Sequence, residues 1–262
     1  MVRATDAPDA KVAVEMRQAN LIYRSNNRRV QALKDVDLSI EEESFVCLLG
    51  PSGCGKTSIL RLIAGFQKPT SGSITLDGRS IGGPDRQRGF VFQQPTLYLW
   101  LTVQQNVEFG LKMRKVPREK RRETAKHCIE MVELQEFAHA FPYELSGGMK
   151  QRVAIARVLA NDPRLMLMDE PFGALDAMTR EQMHRWVRGI WKTTRKTVVF
   201  VTHDIDEALL LGTKVVVMTS RPGRIARVLH PSFTVQAGAD NTDEIKALPE
   251  FIEMRKEIHH SM

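Results

Sequence analysis

Short apolar runs alternate with amphipathic stretches along much of the chain. Residues 44–49 (SFVCLL) form a compact apolar run that ends at a glycine-rich turn, which predicts a buried strand. Residues 56–64 (KTSILRLIA) follow with Ile59, Leu60, Leu62 and Ile63 at helical spacing, and Gly65 stands where a left-handed C-terminal stop is expected. Upstream, residues 12–23 and 36–40 read as strands, and 73–76 continue that β-rich region up to the turn at Asp77-Gly78. Between about 95 and 160 the character changes: 103–113, 119–132 and 148–159 read as helices, punctuated by Pro117 and Pro142. Strand-like runs return at 165–168, 197–202 and 214–219, with a helix over 180–194 between the first two. Alternation on both flanks of a helical insertion predicts an α/β fold with a mostly parallel sheet. No internal repeat and no heptad pattern is present.

Composition adds boundaries rather than an answer. With 262 residues, 42% hydrophobic and 26% charged, the chain is long enough for one substantial core with an appended lobe, and it is neither disordered nor low-complexity. No run reaches the roughly 18–20 consecutive apolar residues of a bilayer span. The first eleven residues carry Asp6, Pro8 and Asp9 and no apolar stretch, unlike a secretory signal. Cys47, Cys54 and Cys128 have neither metal-ligand spacing nor an even count, which fits a reducing, cytoplasmic setting. The net charge of +7 suits an anionic surface, nucleic acid or inner leaflet, and equally suits a basic protein with no such partner.

Candidate chemistry begins at Gly50-Pro51-Ser52-Gly53-Cys54-Gly55-Lys56-Thr57, a complete G-x-x-x-x-G-K-[ST]. The glycines let successive backbone N–H groups turn inward onto phosphate oxygens, and the helix N-terminus adds free donors and a positive dipole end. Lys56 is placed to neutralise the β- and γ-phosphates and the Thr57 hydroxyl to ligate Mg²⁺, with Ser58 completing the binding stretch. The alternative, a chance glycine-rich turn, is disfavoured by the strand before it and the helix after it. Met168-Asp169-Glu170 closes a second apolar strand with two acids, at the strand end where parallel sheets bind ligands. There Asp169 is a hard oxygen ligand for Mg²⁺, and Glu170 is free to deprotonate the attacking water. Together the motifs indicate a nucleoside triphosphatase; alone, the acids would read as a solvated turn before Pro171.

Leu145-Ser146-Gly147-Gly148-Met149-Lys150-Gln151-Arg152 lies between these motifs at the opening of a helix, and it resembles the signature of ATP-binding cassette (ABC) proteins. Ser146 with the Gly147 and Gly148 amides makes a second anion site at a helix N-terminus. The resemblance implies a P-loop cassette: a mostly parallel sheet core with an antiparallel β region and a helical subdomain. Two cassettes pair head to tail in this family, so Ser146, Gly147 and Gly148 would serve the ATP held at the partner's Lys56. Further motifs fall in order over about 14–231. Tyr23 resembles the aromatic residue that stacks on adenine. Gln93 resembles the glutamine that touches Mg²⁺ and water and that opens the segment facing the membrane subunits. Asp176, in Ala174-Leu175-Asp176, resembles the loop crossing the dimer interface, and His203 resembles the switch histidine on the γ-phosphate. By this resemblance Glu170, His203, Gln93 and Lys56 are the catalytic set, and Thr57, Gln93 and Asp169 the metal set. Met149 departs from the common Gln, and Leu97-Tyr98-Leu99-Trp100 from Leu-Leu-Pro-Trp.

The family resemblance divides the chain into a tail (1–11), an ATP-binding core with its β region (12–94 and 161–231), a helical signature subdomain (95–160) and a short C-terminal tail (232–262) in which a helix is expected near 250–259. The runs 83–93, 171–180 and 220–225 resemble the importers of nitrate, taurine and aliphatic sulfonates, with Thr179-Arg180-Glu181-Gln182-Met183 nearest the taurine members. The tail is too short for the regulatory β-domain of sugar and polyamine importers. The resemblance therefore implies an ATPase subunit, peripheral on the cytoplasmic side of the inner membrane. Its implied partners are a second cassette, two transmembrane permease subunits and, indirectly, an extracytoplasmic solute-binding protein, with no nucleic acid. The rival readings are a soluble ABC ATPase acting on DNA or ribosomes, which would carry long insertions or a tandem cassette, and an exporter subunit.

Overall fold

A computed structural model describes residues 11–25, 28–220, 222–233 and 242–261. The expected N-terminal tail, apart from Lys11, lies outside the described residues, as do Arg221 of the 220–225 run and part of the C-terminal tail. A six-stranded sheet is ordered β10-β9-β3-β8-β7-β6, from β3 (Phe45–Leu49), β6 (Arg88–Val91), β7 (Leu165–Asp169), β8 (Thr197–Thr202), β9 (Lys214–Thr219) and β10 (Arg224–Leu229). All its neighbours are parallel except the β9–β10 edge pair. A second, antiparallel sheet is ordered β2-β1-β4-β5, from β1 (Val12–Ser25), β2 (Arg28–Glu41), β4 (Ser71–Leu76) and β5 (Arg79–Ser80).

The period of two in the parallel strands splits the core into two clusters. Val46, Leu48, Leu165, Leu167, Val199, Val201, Val216 and Met218 face α1 (Lys56–Ala64) and the antiparallel sheet. Phe45, Cys47, Leu49, Met166, Met168, Val198, Phe200, Val215 and Val217 face the remaining helices. Strands buried on both faces must be apolar throughout, which is why their sequences do not alternate. On α1, Ile59, Leu60, Leu62 and Ile63 are buried, each contributing roughly 1.5–3 kcal/mol relative to exposure. Gly65 ends the helix in the left-handed conformation, its N–H on the Arg61 and Leu62 carbonyls.

Between β6 and β7 the chain forms α2 (Val103–Met113), α3 (Arg118–Met131) and α4 (Gly147–Leu159). Thr102 caps α2 through a reciprocal bond with Gln105, and Ser146 caps α4 by accepting from the Met149 amide at 3.3 Å. After β7 come α5 (Ala177–Thr194), α6 (Ile205–Leu211), α7 (Thr242–Lys246) and α8 (Pro249–Ser261). Two expected boundaries shift. The first β hairpin is longer than 36–40 suggested, because β2 pairs with β1 back to Arg28. Helix α5 starts at Ala177 rather than 180, because Asp176 caps it from the Thr179 amide at 3.0 Å. Strands β5, β6 and β10 and helices α6 and α7 were not expected. The expected C-terminal helix is α8, and its Phe251 and Ile258 are buried in the core.

Candidate functional site

The turn between β3 and α1 is the phosphate-loop motif. Gly55 at its end has φ +97°, which favours glycine, and a Cβ there would also crowd the Leu33 Cδ2 at 2.6 Å and the Ala32 carbonyl at 3.2 Å. Lys56 is buried, and its ammonium lies along the loop, donating to the carbonyls of Gly50 at 2.6 Å and Pro51 at 3.1 Å. Thr57 Oγ1 donates to Asp169 Oδ1 at 2.8 Å, joining the start of α1 to the end of β7. Burial is the main cause pushing the Asp169 carboxyl above its usual range; the Thr57 hydrogen bond, Arg61 and Lys56 work against it, while Glu170 adds to it. Burial also raises the Cys54 thiol.

Glu170 sits at φ 42°, a region costly for a residue with a Cβ, where the chain turns sharply off β7. Its N–H donates to the Val201 carbonyl at 3.1 Å, and its own carbonyl accepts from Gly173 at 3.2 Å. Its carboxylate Oε2 lies 3.1 Å from His203 Nδ1 at the end of β8. Gln93, exposed just past β6, approaches the same place: a Cβ on Gly173 would be 3.7 Å from Glu170 Oε2 and 3.8 Å from Gln93 Nε2. A cleft of about 460 Å³ runs from this carboxylate along the phosphate loop (Ser52, Gly53, Gly55–Ser58) to Tyr23, Gln31 and Ala32. Tyr23 lines it as a half-buried ring whose hydroxyl is tied to Ser58 Oγ at 3.1 Å and Gln67 Oε1 at 3.0 Å.

The remaining expected residues lie apart from that cleft. Ser146, Gly147 and Gly148 open α4 against the segment before α5: Cβ atoms on Gly147 and Gly148 would meet Leu175 Cδ2 at 3.5 Å and Thr179 Cγ2 at 2.8 Å. Asp176 is exposed, and the Thr179 amide and hydroxyl hold its carboxyl below the usual range. A tie runs from α4 to the Gln93 segment: buried Gln151 donates to the Phe92 carbonyl at 3.3 Å, and Arg157 donates to the Thr96 carbonyl at 2.7 Å. Wholly buried Asn106 binds the Tyr98 amide and the Tyr98, Leu101 and Thr102 carbonyls. That leaves Leu99 63% and Trp100 72% exposed on the outer side.

A family model described as ABC transporter matches residues 33–173, more than half of the chain. The chain belongs to the ABC transporter family. As a cassette of that family it binds ATP and hydrolyses it. It is 52% identical over 233 residues to the taurine import ATP-binding protein TauB of Rhizobium johnstonii, covering 88% of each chain. It is 45% identical over 247 residues to the nitrate import ATP-binding protein NrtD of Synechocystis, covering 94% of this chain and 93% of that one. The dimeric post-hydrolysis structure of the ATP-binding cassette MJ0796 bound to ADP and Pi superposes with a TM-score of 0.72 at 38% identity, over 83% of this ABC cassette and 98% of that chain. Among the described residues no helix is long and apolar enough to cross a membrane.

Three features of the site region were given no role from the sequence. They are the buried His184–Glu207 hydrogen bond behind the site, the Gln151 tie, and Gly223, which packs against the phosphate loop. Gln151 was visible only as part of the signature, and a lone histidine 23 residues from its partner carries no pattern at all.

Proposed function

We propose that this chain is the ATPase subunit of an importer for a small anionic nutrient of the taurine, sulfonate or nitrate kind. It works as a head-to-tail pair of cassettes on the cytoplasmic face of the membrane. The observation that supports the chemistry best is the composition of the cleft. It gathers the phosphate loop, Tyr23 and Glu170, with the Thr57–Asp169 pair beside it, and leaves Ser146, Gly147, Gly148 and Asp176 outside. A second anion cradle outside the first is useful when a partner brings it, and the dimeric relative is consistent with that. The kind of cargo is carried by the likeness to TauB and NrtD alone.

In this reading Gly50–Ser58 cradle the phosphates, with Lys56 turning from loop carbonyls to the β- and γ-phosphates, while Tyr23 meets the adenine. The donor set fits magnesium: a hydroxyl and a carboxylate already 2.8 Å apart, hard oxygens that leave coordination positions to phosphate and water. Thr57, Asp169 and Gln93 would hold it, and the bound ion would offset charge on the phosphate oxygens. Glu170 takes a proton from water as the water oxygen bonds to the γ-phosphorus and the bond to the β–γ bridging oxygen breaks, giving ADP and inorganic phosphate. His203 fixes the Glu170 carboxylate through Nδ1 and presents its other nitrogen to the γ-phosphate. The partner's signature completes the charge stabilisation. The exposed Leu99–Trp100 step, braced by Asn106 and Arg157, is the surface offered to the permease subunits, with the solute-binding protein on the far side of the membrane.

Growth of a deletion strain on taurine, an alkanesulfonate or nitrate as the only sulfur or nitrogen source tests this function. Failure on one source, restored by the wild-type gene and not by Glu170→Gln, is expected. Normal growth on all three would withdraw the cargo assignment.

A further inference from the structure

Near the Glu170–His203 contact lies a buried polar pair, whose His184 also lines a small cavity with Arg188, Lys192 and Thr242. His184 Nε2 and Glu207 Oε1 are 2.6 Å apart, with side chains only 9% and 7% exposed. The pair joins α5, which Asp176 caps, to α6, which Asp204 caps directly after His203. The His184 ring also packs on Phe172, 5.8 Å between ring centres, and Phe172 is fully buried two residues beyond Glu170. One hydrogen-bonded pair therefore touches all three segments that carry Glu170, Asp176 and His203.

Three physical points make this more than core filling. Helix α6 has seven residues, too short to hold its own position, so its placement depends on what it packs against. The His203 side chain is 57% exposed, so the start of α6 rather than packing around the ring decides where it points. A buried polar pair adds little net stability over apolar groups of the same volume, whereas it fixes one register between the elements it joins.

We propose that His184 and Glu207 are positioning residues for hydrolysis, holding His203 in register with the Glu170 carboxylate. The inference rests on Glu170 and His203 being the hydrolytic groups. Neither residue lines the nucleotide cleft, so the effect falls on turnover rather than on ATP affinity.

The test is ATP turnover by the full-length chain, with kcat and KM measured separately. His184→Leu and Glu207→Leu each lower kcat about 10- to 100-fold, the usual cost of misplacing a reacting group by about 1 Å, with KM for ATP within about twofold. His184→Gln, whose amide nitrogen can donate in place of Nε2, restores most of kcat. The double variant His184→Leu with Glu207→Leu removes both partners together, so neither is left buried without the other, and it keeps the fold even where the single variants lose it. Its kcat stays as low as that of the singles. Wild-type kcat in the stable double variant overturns the proposal. So does a His184→Gln protein no better than His184→Leu. Glu170→Gln is run alongside: undiminished turnover there would sink the assignment of the hydrolytic groups, a separate failure from that of the pair.

Discussion

Gly223 lies in a turn between β9 and β10 and carries no chemistry of its own, yet the structure makes it a support for the phosphate loop. Its N–H donates to the Ala32 carbonyl at 2.9 Å, and its carbonyl accepts from Lys34 at 3.0 Å. A Cβ on Gly223 would stand 2.1 Å from the Cys54 carbonyl oxygen, 2.9 Å from that of Ala32 and 3.1 Å from the Cys54 carbonyl carbon. Carbon–oxygen contact is comfortable at about 3.3–3.5 Å, so the methyl of Gly223→Ala intrudes by more than about 1 Å on backbone atoms. No flexible side chain is there to swing away. Either the turn or the loop must move, and overpacking of this kind costs about 1–3 kcal/mol. Two backbone hydrogen bonds of 2.9 and 3.0 Å anchor the turn to β2, whereas Cys54 itself has a 3.3 Å bond from its N–H to the Pro51 carbonyl and a 4.0 Å contact from Lys56 Nζ to its sulfur, so the displacement falls on the loop. The expected result is a loss of ATP affinity of about tenfold or more, equivalent to about 1.4 kcal/mol, with the far-UV spectrum retained. Calorimetric titration of full-length Gly223→Ala with Mg·ATP measures it. An affinity within twofold of wild type would refute the claim that the turn buttresses the loop.

Other expectations are simpler. Glu170→Gln should bind ATP, lose nearly all turnover and accumulate as a dimer, seen as a doubling of mass by light scattering; a strictly monomeric protein at saturating ATP would count against pairing. Replacing Asn106 by Ala strips the 98–102 segment of its buried partners at about 1–3 kcal/mol for each group left unsatisfied, and denaturant titration should show a total loss of about 2–4 kcal/mol, because part of the segment stays open to water. Burial pushes the Cys128 thiol up to about 11. It therefore remains protonated, and slow to alkylate, at a pH of about 8.5 where an ordinary free thiol is half ionised. Mass spectrometry of the native protein after iodoacetamide should show Cys128 unmodified until denaturant is added, and rapid native labelling would contradict its burial.

Much of this architecture was legible because the phosphate-loop motif fixed a strand, a turn and a helix at once. The apolar runs ending at Asp169 and Thr202 then had few other places in a parallel sheet. The elements that escaped share a physical reason. Strand β6 has only four residues, and its Gly89 leaves room for the Val158 and Pro163 side chains instead of showing one of its own. Strand β10 is an exposed edge with Arg224 and Arg227, paired only to β9, so its sequence shows no buried face. Helix α6 is under two turns of Leu-rich chain, and its spacing alone does not separate a short helix from a strand. The first four residues of β2, Arg28 to Gln31, are mostly polar and pair with β1 through the backbone, so no apolar alternation marks where the strand begins. Within the site, residues inside motifs could be named from the sequence. Gly223 and the His184–Glu207 pair could not, because their roles exist only in the contact between elements far apart in the chain.

In the proposed head-to-tail pair, each ATP is handled by the loop of one chain and the signature of the other. Mixing two inactive variants tests this most directly. Ser146→Arg spoils only the signature, and Lys56→Ala only the phosphate loop, so a mixed pair holds one site with both parts intact. Each variant alone is expected to be inactive and the equimolar mixture to recover on the order of a quarter of wild-type turnover, since about half of randomly formed pairs are mixed and each has one good site of two. No turnover in the mixture above that of the separate variants would contradict the shared site.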